Sequence, residues 1–512
     1  VIVKSSALFF PPGHPLAATV RETAEIENPA WIEHERMVRS GVRSRLATKP
    51  PRYLQIWQEI PGGHAWAGGT MVPRCWTPPM SIRRAIESDT VEHFADVPAL
   101  GYRLAPEFAP RDYQIDSAVA CESAGEGVVV MPCGAGKTSA GVELIRRLGR
   151  RSLILVHTND LAAQWVERIA GAQELRGQLV GAKVGSVGGG RAQTDAGADV
   201  VIATVQTLVG WSWRDLYAWG QGFGLVIMDE AHHAPADTFL QVLCGLPARY
   251  RIGLTATPNR EDGMGALLWA AFGEVVFEVS RDELVKRGQI RPAQLFHHLT
   301  GCSVQTHEVR EHPKAKWVPI FPQEVERWRA AEDFTGYPKV RPRPWHAQVR
   351  DLSQDDQRNG VVLDLAEAKV SEGHSVIVLS ELVDHCRALA AALCSRGLAA
   401  EAVAGHQGSR AVSAILGRAR RGETKVLVGT TKADEGLDVP ILSCGILATR
   451  TKRFGRLTQR IGRIERPEGL RPEWYDLVDD FPGAIRAWKE RQKLYQALNL
   501  EGATWTRRRR SA

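Results

Sequence analysis

Eight cysteines are scattered through the 512-residue chain, and no two of them form a Cys-x-x-Cys pair. That argues against a zinc framework or a disulfide scaffold, and a reducing, cytoplasmic setting is expected. No apolar run approaches the roughly 20 residues of a membrane-spanning helix, so no membrane association is expected. The apolar start, Val1 to Phe10, runs into Pro11-Pro12 and lacks a signal-peptide layout. No initiator Met is present, which fits a processed end, a fragment boundary or an unusual start codon. No short-period repeat appears.

What is there is the composition of a globular protein: 44% hydrophobic and 24% charged residues. One hydrophobic core rarely exceeds ~250–300 residues, so about three domains are expected. The net charge of +7 is a modest pointer to a nucleic-acid partner. The run Arg507 to Arg510 reads first as a solvated terminus. Residues 1–105, rich in Pro and Trp (Trp31, Trp57, Trp66, Trp76), suggest short strands at Tyr53 to Trp57 and Gly69 to Pro73, with one helical stretch at Pro79 to Ser88. From Arg111 onward, short apolar runs alternate with amphipathic helices, the pattern of parallel α/β structure. Strands are expected at 128–130, 153–156, 200–203, 225–228 and 251–254. A second series is expected at 376–379, 402–404, 425–428 and 445–447.

Chemistry begins at Met131-Pro-Cys-Gly-Ala-Gly-Lys137-Thr138, between an apolar strand and a helix. That is the context of a phosphate-binding loop. Small residues, Gly134 and Gly136 among them, let backbone N–H groups close around ATP phosphates at a helix N-terminus. Lys137 is expected at the β/γ-phosphates and Thr138 on Mg²⁺. Met131 departs from the usual first Gly. About ninety residues on, Phe223 to Met228 forms a buried-strand run ending in Asp229-Glu230-Ala231-His232. A carboxylate there holds Mg²⁺ and a second polarises the attacking water, which assigns Asp229 to the metal and Glu230 to the base. His232 is a candidate sensor of the γ-phosphate. His233 reads as an ordinary loop histidine.

The order of these motifs resembles superfamily 2 helicases and translocases across residues 108–470. Arg111-Asp-Tyr-Gln114 resembles the adenine-recognition element, with Gln114 reading the base. His157-Thr158 to Gln164-Trp165 and Ala203-Thr204 to Thr207 resemble segments that grip the nucleic-acid backbone. Leu254-Thr255-Ala-Thr257 resembles the motif that couples hydrolysis to strand movement. Gly429-Thr430 to Asp438 resembles motif V, with Thr430 on phosphate and Asp438 on the nucleotide side. Gln459-Arg460 to Arg463 and Arg466 resembles motif VI, whose arginines supply positive charge to the phosphoryl-transfer transition state. The run from Pro132 to Thr138 and Arg260 to Asp262 are similar to the XPB branch. No match to that branch's DNA-gripping thumb is visible between the lobes.

The resemblance implies an α/β chain of two RecA-like lobes with ATP between them. The expected layout is an accessory domain (1–105, β-rich or α+β), lobe one (106–292), a linker with a small helical insertion at 323–332 (293–350), lobe two (351–480), and a C-terminal helix with a basic tail (481–512). The implied activity is ATP-dependent unwinding or translocation, on DNA rather than RNA, with protein partners in repair or defence complexes. Two alternatives stay open: the motor of a restriction or defence complex with a partner nuclease, and an RNA remodeller. No Pro-Asp…Asp/Glu-x-Lys nuclease core is present in the chain.

Overall fold

The computed structural model describes residues 2–4, 7–10, 14–23, 25–27, 53–55, 58–59, 70–73, 90–92, 94, 97–172, 175–188, 195–233, 241–256, 265–331, 336–405, 407–430, 439, 441–449, 454–466 and 468–507. The chain divides into two compact units, Val1–Ser280 and Arg281–Ala512.

In the first unit seven strands form one sheet. They are β1 (Glu126–Val130), β2 (Ser152–Val156), β3 (Val184–Val187), β4 (Val200–Thr204), β5 (Leu225–Met228), β6 (Tyr250–Thr255) and β7 (Val275–Glu278). Their order is β3-β4-β2-β5-β6-β1-β7, with every pairing parallel. Every residue of β2, β4 and β5 is buried. A parallel sheet covered by helices on both faces demands such unbroken Val/Ile/Leu runs, which is why the sequence exposes them so clearly. The helices that matter for the site are α1 (Asp112–Ala124), α2 (Lys137–Leu148) and α3 (Asn159–Ala170). Edge strands β3 and β7 were not foreseen, because one is short with alternating burial and the other is half exposed.

Among the described residues before 105, strands 58–59, 70–73, 7–10, 2–4 and 90–92 form a mixed, mostly antiparallel sheet in that order. Phe10 and Val20 are buried in the same apolar cluster as Leu153, Val201 and Met228, so this segment shares the first unit's core. Trp31, Trp57, Trp66, Trp76 and the helix expected at 79–88 lie outside the described residues.

The second unit contains β8 (Gln294–Leu299), β9 (Ser375–Leu379), β10 (Ala400–Val403), β11 (Val426–Gly429), β12 (Leu442–Leu447), β13 (Glu473–Val478) and β14 (Glu501–Arg507). Their order is β10-β11-β9-β12-β13-β8-β14, again all parallel. Counted from each unit's first strand, the two sheets have the same strand permutation. Helices α4 (Asp356–Ser371), α5 (Val383–Ser395), α6 (Phe454–Gly462) and α7 (Pro482–Ala497) accompany this sheet.

Here the structure departs from the expected layout. Gln294–Leu299 lies in the stretch expected as linker, and Glu501–Arg507 in the expected tail, yet both are sheet strands. Two histidines interrupt the apolar run of β8. His297 is nevertheless buried, with Gln492 Nε2 at 3.0 Å and the Trp488 indole donating at 3.3 Å, both from α7. Strand β13 is similarly disguised by Asp476. Its carboxylate is buried because Arg491 donates to it at 2.7 and 2.9 Å and Tyr495 at 2.9 Å. A buried ion pair of this quality lets a charged residue occupy a central strand.

The rest of the expected linker carries a three-stranded antiparallel sheet, His307–Arg310, Val318–Ile320 and Lys339–Pro342. A helical turn at Pro322–Glu324 and a short helix, Val325–Ala330, stand where the helical insertion was expected. Among the described residues, no helix is long and apolar enough to cross a membrane.

Candidate active site

The phosphate-loop sequence leaves β1 at Val130 and turns into α2 at Lys137. Gly134 and Gly136 adopt φ of 84° and 79°, a region that L side chains disfavour. A Cβ on Gly136 would also stand 2.5 Å from Gln114 Nε2. Met131 is explained by the same backbone: it is fully buried, its N–H donates to Thr255 O at 3.0 Å, and its φ is not positive. Glycine is therefore not required there.

The loop is held from α1. Tyr113 Oη donates to Ala135 O at 2.8 Å, and Gln114 Nε2 donates to the same oxygen at 2.9 Å. Gln114 Oε1 accepts from the Arg111 N–H at 2.9 Å, and the Arg111 guanidinium donates to Tyr113 Oη at 2.9 Å. Gln114, expected to read a base, thus bridges Arg111 to the phosphate loop. Tyr113, which sequence reading left without a role, is a second anchor. Thr138 lies half-buried in the first turn of α2.

The two carboxylates follow β5. Asp229 is buried, with its N–H on Leu155 O at 3.0 Å. Glu230 has φ of 47°, a strained left-handed conformation of the kind that clusters at functional sites. Its N–H donates to Asp229 Oδ1 at 2.9 Å, and its Oε1 lies 3.5 Å from Lys137 Nζ. Asp229 Oδ2 accepts from the buried Trp165 indole at 2.8 Å. Gly141 on α2 makes room for that ring, since a Cβ there would meet Trp165 at 2.6 Å. Trp165 lay within a motif read for nucleic-acid contact, so its bond to an acid 64 residues away had no local sequence signal. Burial first, then the Glu230 charge, pushes the Asp229 carboxyl above the ordinary carboxylate range; Lys137, Trp165 and the Glu230 N–H oppose this. A buried carboxylate with a second acid beside it suits a divalent cation.

His232 Nδ1 lies 2.8 Å from the buried Thr255 Oγ1 and 3.4 Å from Glu230 Oε2. The two expected coupling segments therefore touch. Thr257, the other expected coupling residue, His233's side chain and Arg260 to Asp262 lie outside the described residues.

Of the residues expected to grip a strand, Thr158 caps α3, its Oγ1 accepting from Leu161 N at 3.3 Å. Gln164 is half-buried on that helix. Thr204, the last residue of β4, is buried with its Oγ1 2.8 Å from that of Thr207 on the following helical turn. Gln206 donates to His157 O at 2.9 Å and ties the two segments together.

In the second unit Thr430 is buried at the end of β11, and Asp438 lies outside the described residues. Gln459 and Arg460 are buried on α6, while Arg463 and Arg466 are half-buried in the loop that follows. Between them stands Glu465, which sequence reading passed over. It is 4% exposed, accepts from the Ala293 N–H at 2.9 Å and pairs with Arg281. Burial raises its carboxyl above the ordinary range, and Arg281 and the Ala293 N–H pull it back. The arginine loop is thereby tied to the chain entering β8.

A second acidic group, Glu372, His374 and Glu473, has donor atoms within 4.8 Å of one another. Lys369 Nζ already serves it, at 2.6 Å from Glu372 and 2.9 Å from Glu473, so an internal ammonium replaces a metal there.

Residues 107–260 match the family described as type III restriction enzyme, res subunit, and residues 358–468 match the helicase conserved C-terminal domain. Together these segments span just over half of the chain. The chain belongs to the superfamily 2 helicases. It is thus a chain of the ATP-dependent helicase/translocase class, for which nucleotide binding and a nucleic-acid substrate are family properties. It is similar to the DNA 3'-5' translocase XPB2 of Sulfurisphaera tokodaii, 26% identical over 362 residues that cover 70% of this chain and 78% of the relative. It is also similar to the DNA 3'-5' helicase XPB of Mycobacterium tuberculosis, 28% identical over 365 residues, 70% of this chain but only 58% of that protein. Among solved structures, S. cerevisiae Dbp5 bound to RNA and ADP BeF3 superposes with a TM-score of 0.54 at 14% identity, over 79% of this chain and 94% of that one. At that identity the likeness speaks for the fold alone.

Proposed function

We propose that this chain hydrolyses ATP in response to DNA and uses the cycle to translocate along or separate strands. The observation that carries the reading is the geometry around Lys137. A glycine turn braced by Tyr113 and Gln114 presents the lysine beside Glu230, and Asp229 is buried next to both. Lys137 binds the β/γ-phosphates, and the loop N–H groups from Gly134 to Thr138 orient them. Asp229 and Thr138 are the residues that hold Mg²⁺, which when bound neutralises charge on the phosphate oxygens. Glu230 accepts a proton from the attacking water. Arg463 and Arg466 stabilise the charge that develops on the transferred phosphoryl group, and Glu465 fixes their loop.

Gln114 and Arg111 link base recognition to the shape of the phosphate loop, and Gln459 and Asp438 complete the nucleotide contacts. His232 and Thr255, with Thr257, convert hydrolysis into strand movement. Thr158, Gln164, Thr204 and Thr430 belong to the segments that follow the strand's phosphates, a sequence-independent and salt-sensitive mode. Thr158 Oγ1 accepts from Leu161 N and so keeps its O–H to donate to a phosphate. DNA is favoured because the relatives named above carry DNA in their names. A second reading, the motor of a restriction complex, is supported by the name of the family matched at 107–260. A cytoplasmic setting, expected from the scattered cysteines, goes with either reading.

The test is steady-state ATPase and unwinding on single-stranded, duplex, forked and RNA substrates side by side. Strong stimulation by DNA supports the reading; stimulation by RNA alone overturns the choice of DNA. Co-purification with a nuclease favours the restriction motor.

A further inference from the structure

We propose that the small antiparallel sheet at residues 307–342 is a platform for unpaired nucleic acid, on which bases stack while flanking cations hold the phosphates. The proposal rests on the reading that the chain acts on nucleic acid, and adds a surface outside every motor motif.

One face of this sheet packs on the short helix, with Val318 of the edge strand left exposed. Val309, Ile320 and Val340 pack against Val325 and Trp328 of the short helix. Alternation along the strands sends Arg310, Lys339 and Arg341 to the other face. There the cations are built onto aromatic rings. The Arg341 guanidinium lies 3.9 Å from the centre of Trp317, and that of Arg310 lies 4.9 Å from it. Tyr337 carries Lys339 at 5.2 Å and Arg310 at 5.5 Å, and its hydroxyl accepts from Arg310 at 3.0 Å. Lys314 and Lys316 are exposed on the turn that leads to Trp317. Glu308 answers one of these charges, taking Arg341 at 2.9 Å.

Arg310 and Lys339 are direct cross-strand partners, and like charges so placed destabilise a sheet. Ring faces offset part of that repulsion. An anionic ligand removes it. Flat guanidinium groups over indole and phenol rings extend the stacking area, while the exposed Lys314, Lys316 and Lys339 offer their ammonium groups to phosphate. Bases supply the flat partner and phosphates the charge, a pairing that an acidic peptide lacks.

The experiment uses the full chain, with labelled oligothymidylate and an abasic strand of equal length followed by fluorescence anisotropy. The double variant Trp317→Ala with Tyr337→Ala should weaken oligothymidylate binding about tenfold or more. Abasic binding should change much less, and basal ATPase without nucleic acid should not change. In the unmodified chain, a strand carrying 4-thiothymidine should crosslink to peptides containing Trp317 or Tyr337, a readout independent of how the variant folds. Unchanged affinity in the variant, equal losses on both strands, or crosslinks confined to the motor loops overturn the platform alone. A wild-type chain that binds no strand and shows no stimulation overturns the nucleic-acid reading with it. If polyglutamate, and not oligothymidylate, protects Lys316 and Lys339 from acetylation, the face belongs to an acidic protein and the proposal fails.

Discussion

The Trp165 indole N–H donates to the Asp229 carboxylate at 2.8 Å, and both groups are buried. Trp165 sits on α3, whose first turn is capped by Thr158 in a segment assigned to strand contact. A shift of that helix therefore moves a donor on the proposed metal ligand. Trp165→Phe keeps an aromatic ring, smaller than the indole, and removes the N–H. A lost hydrogen bond to a buried charge costs about 1.5–3 kcal/mol. The variant should stay folded by circular dichroism, need several-fold more Mg²⁺ for half-maximal ATPase, and lose about tenfold or more in rate at fixed Mg²⁺. An unchanged Mg²⁺ requirement would show that the ring merely fills space.

The contact between His232 and Thr255 makes a separable prediction. Thr255→Val removes the hydroxyl at 2.8 Å from His232 Nδ1 and leaves Lys137, Asp229 and Glu230 in place. Strand displacement on a forked duplex should fall at least about tenfold, while DNA-stimulated hydrolysis stays within a few-fold. Equal losses in both assays would contradict a coupling role.

Glu465 is the anchor of the arginine loop, so its removal should be felt twice. Glu465→Ala leaves Arg281 with its 13%-exposed side chain unpaired, at a cost of about 3 kcal/mol in denaturant unfolding. Adding Arg281→Ala should recover part of that loss, a coupling that a double-mutant cycle measures. The rate of hydrolysis should fall in both variants with ATP affinity nearly unchanged.

A pH effect follows from His385, which is buried between Ser380 Oγ and Asn359 Oδ1, each at 2.9 Å. Burial, and then the Arg358 charge, lowers its pKa to about 4. The unfolded chain protonates this group near pH 6.5, whereas the folded chain resists until about pH 4. Stability contributed by neutral His385 is therefore complete above pH 6.5 and falls away as pH drops toward 4, by up to about 3 kcal/mol. Urea unfolding of the wild type should show a steeper loss over that window than His385→Gln. Identical slopes would remove His385 as the cause.

Buried apolar strands and the phosphate-loop spacing were legible because a parallel sheet and a helix-terminal anion site each impose a local pattern. Strands β8 and β13 were hidden where burial is achieved by pairing: His297 against α7 and Asp476 against Arg491 look polar in sequence and are core in space. That is why β8 was hidden in the stretch expected as linker, and proline-rich spacing concealed the three short strands after it. At the site, Lys137, Asp229, Glu230 and His232 could be named from spacing. Trp165, Tyr113 and Glu465 act across tens or hundreds of residues, and long-range hydrogen bonds leave no local signature.

In the proposed cycle Lys137, beside Glu230 and Asp229, drives nucleic-acid-stimulated ATP hydrolysis. Steady-state ATPase with and without single-stranded DNA, for the wild type, Lys137→Ala and Arg463→Ala, tests it most directly. DNA should strongly stimulate the wild type, and each variant should lose at least about a hundredfold while remaining folded. Stimulated hydrolysis that survives Lys137→Ala would contradict the proposed cycle.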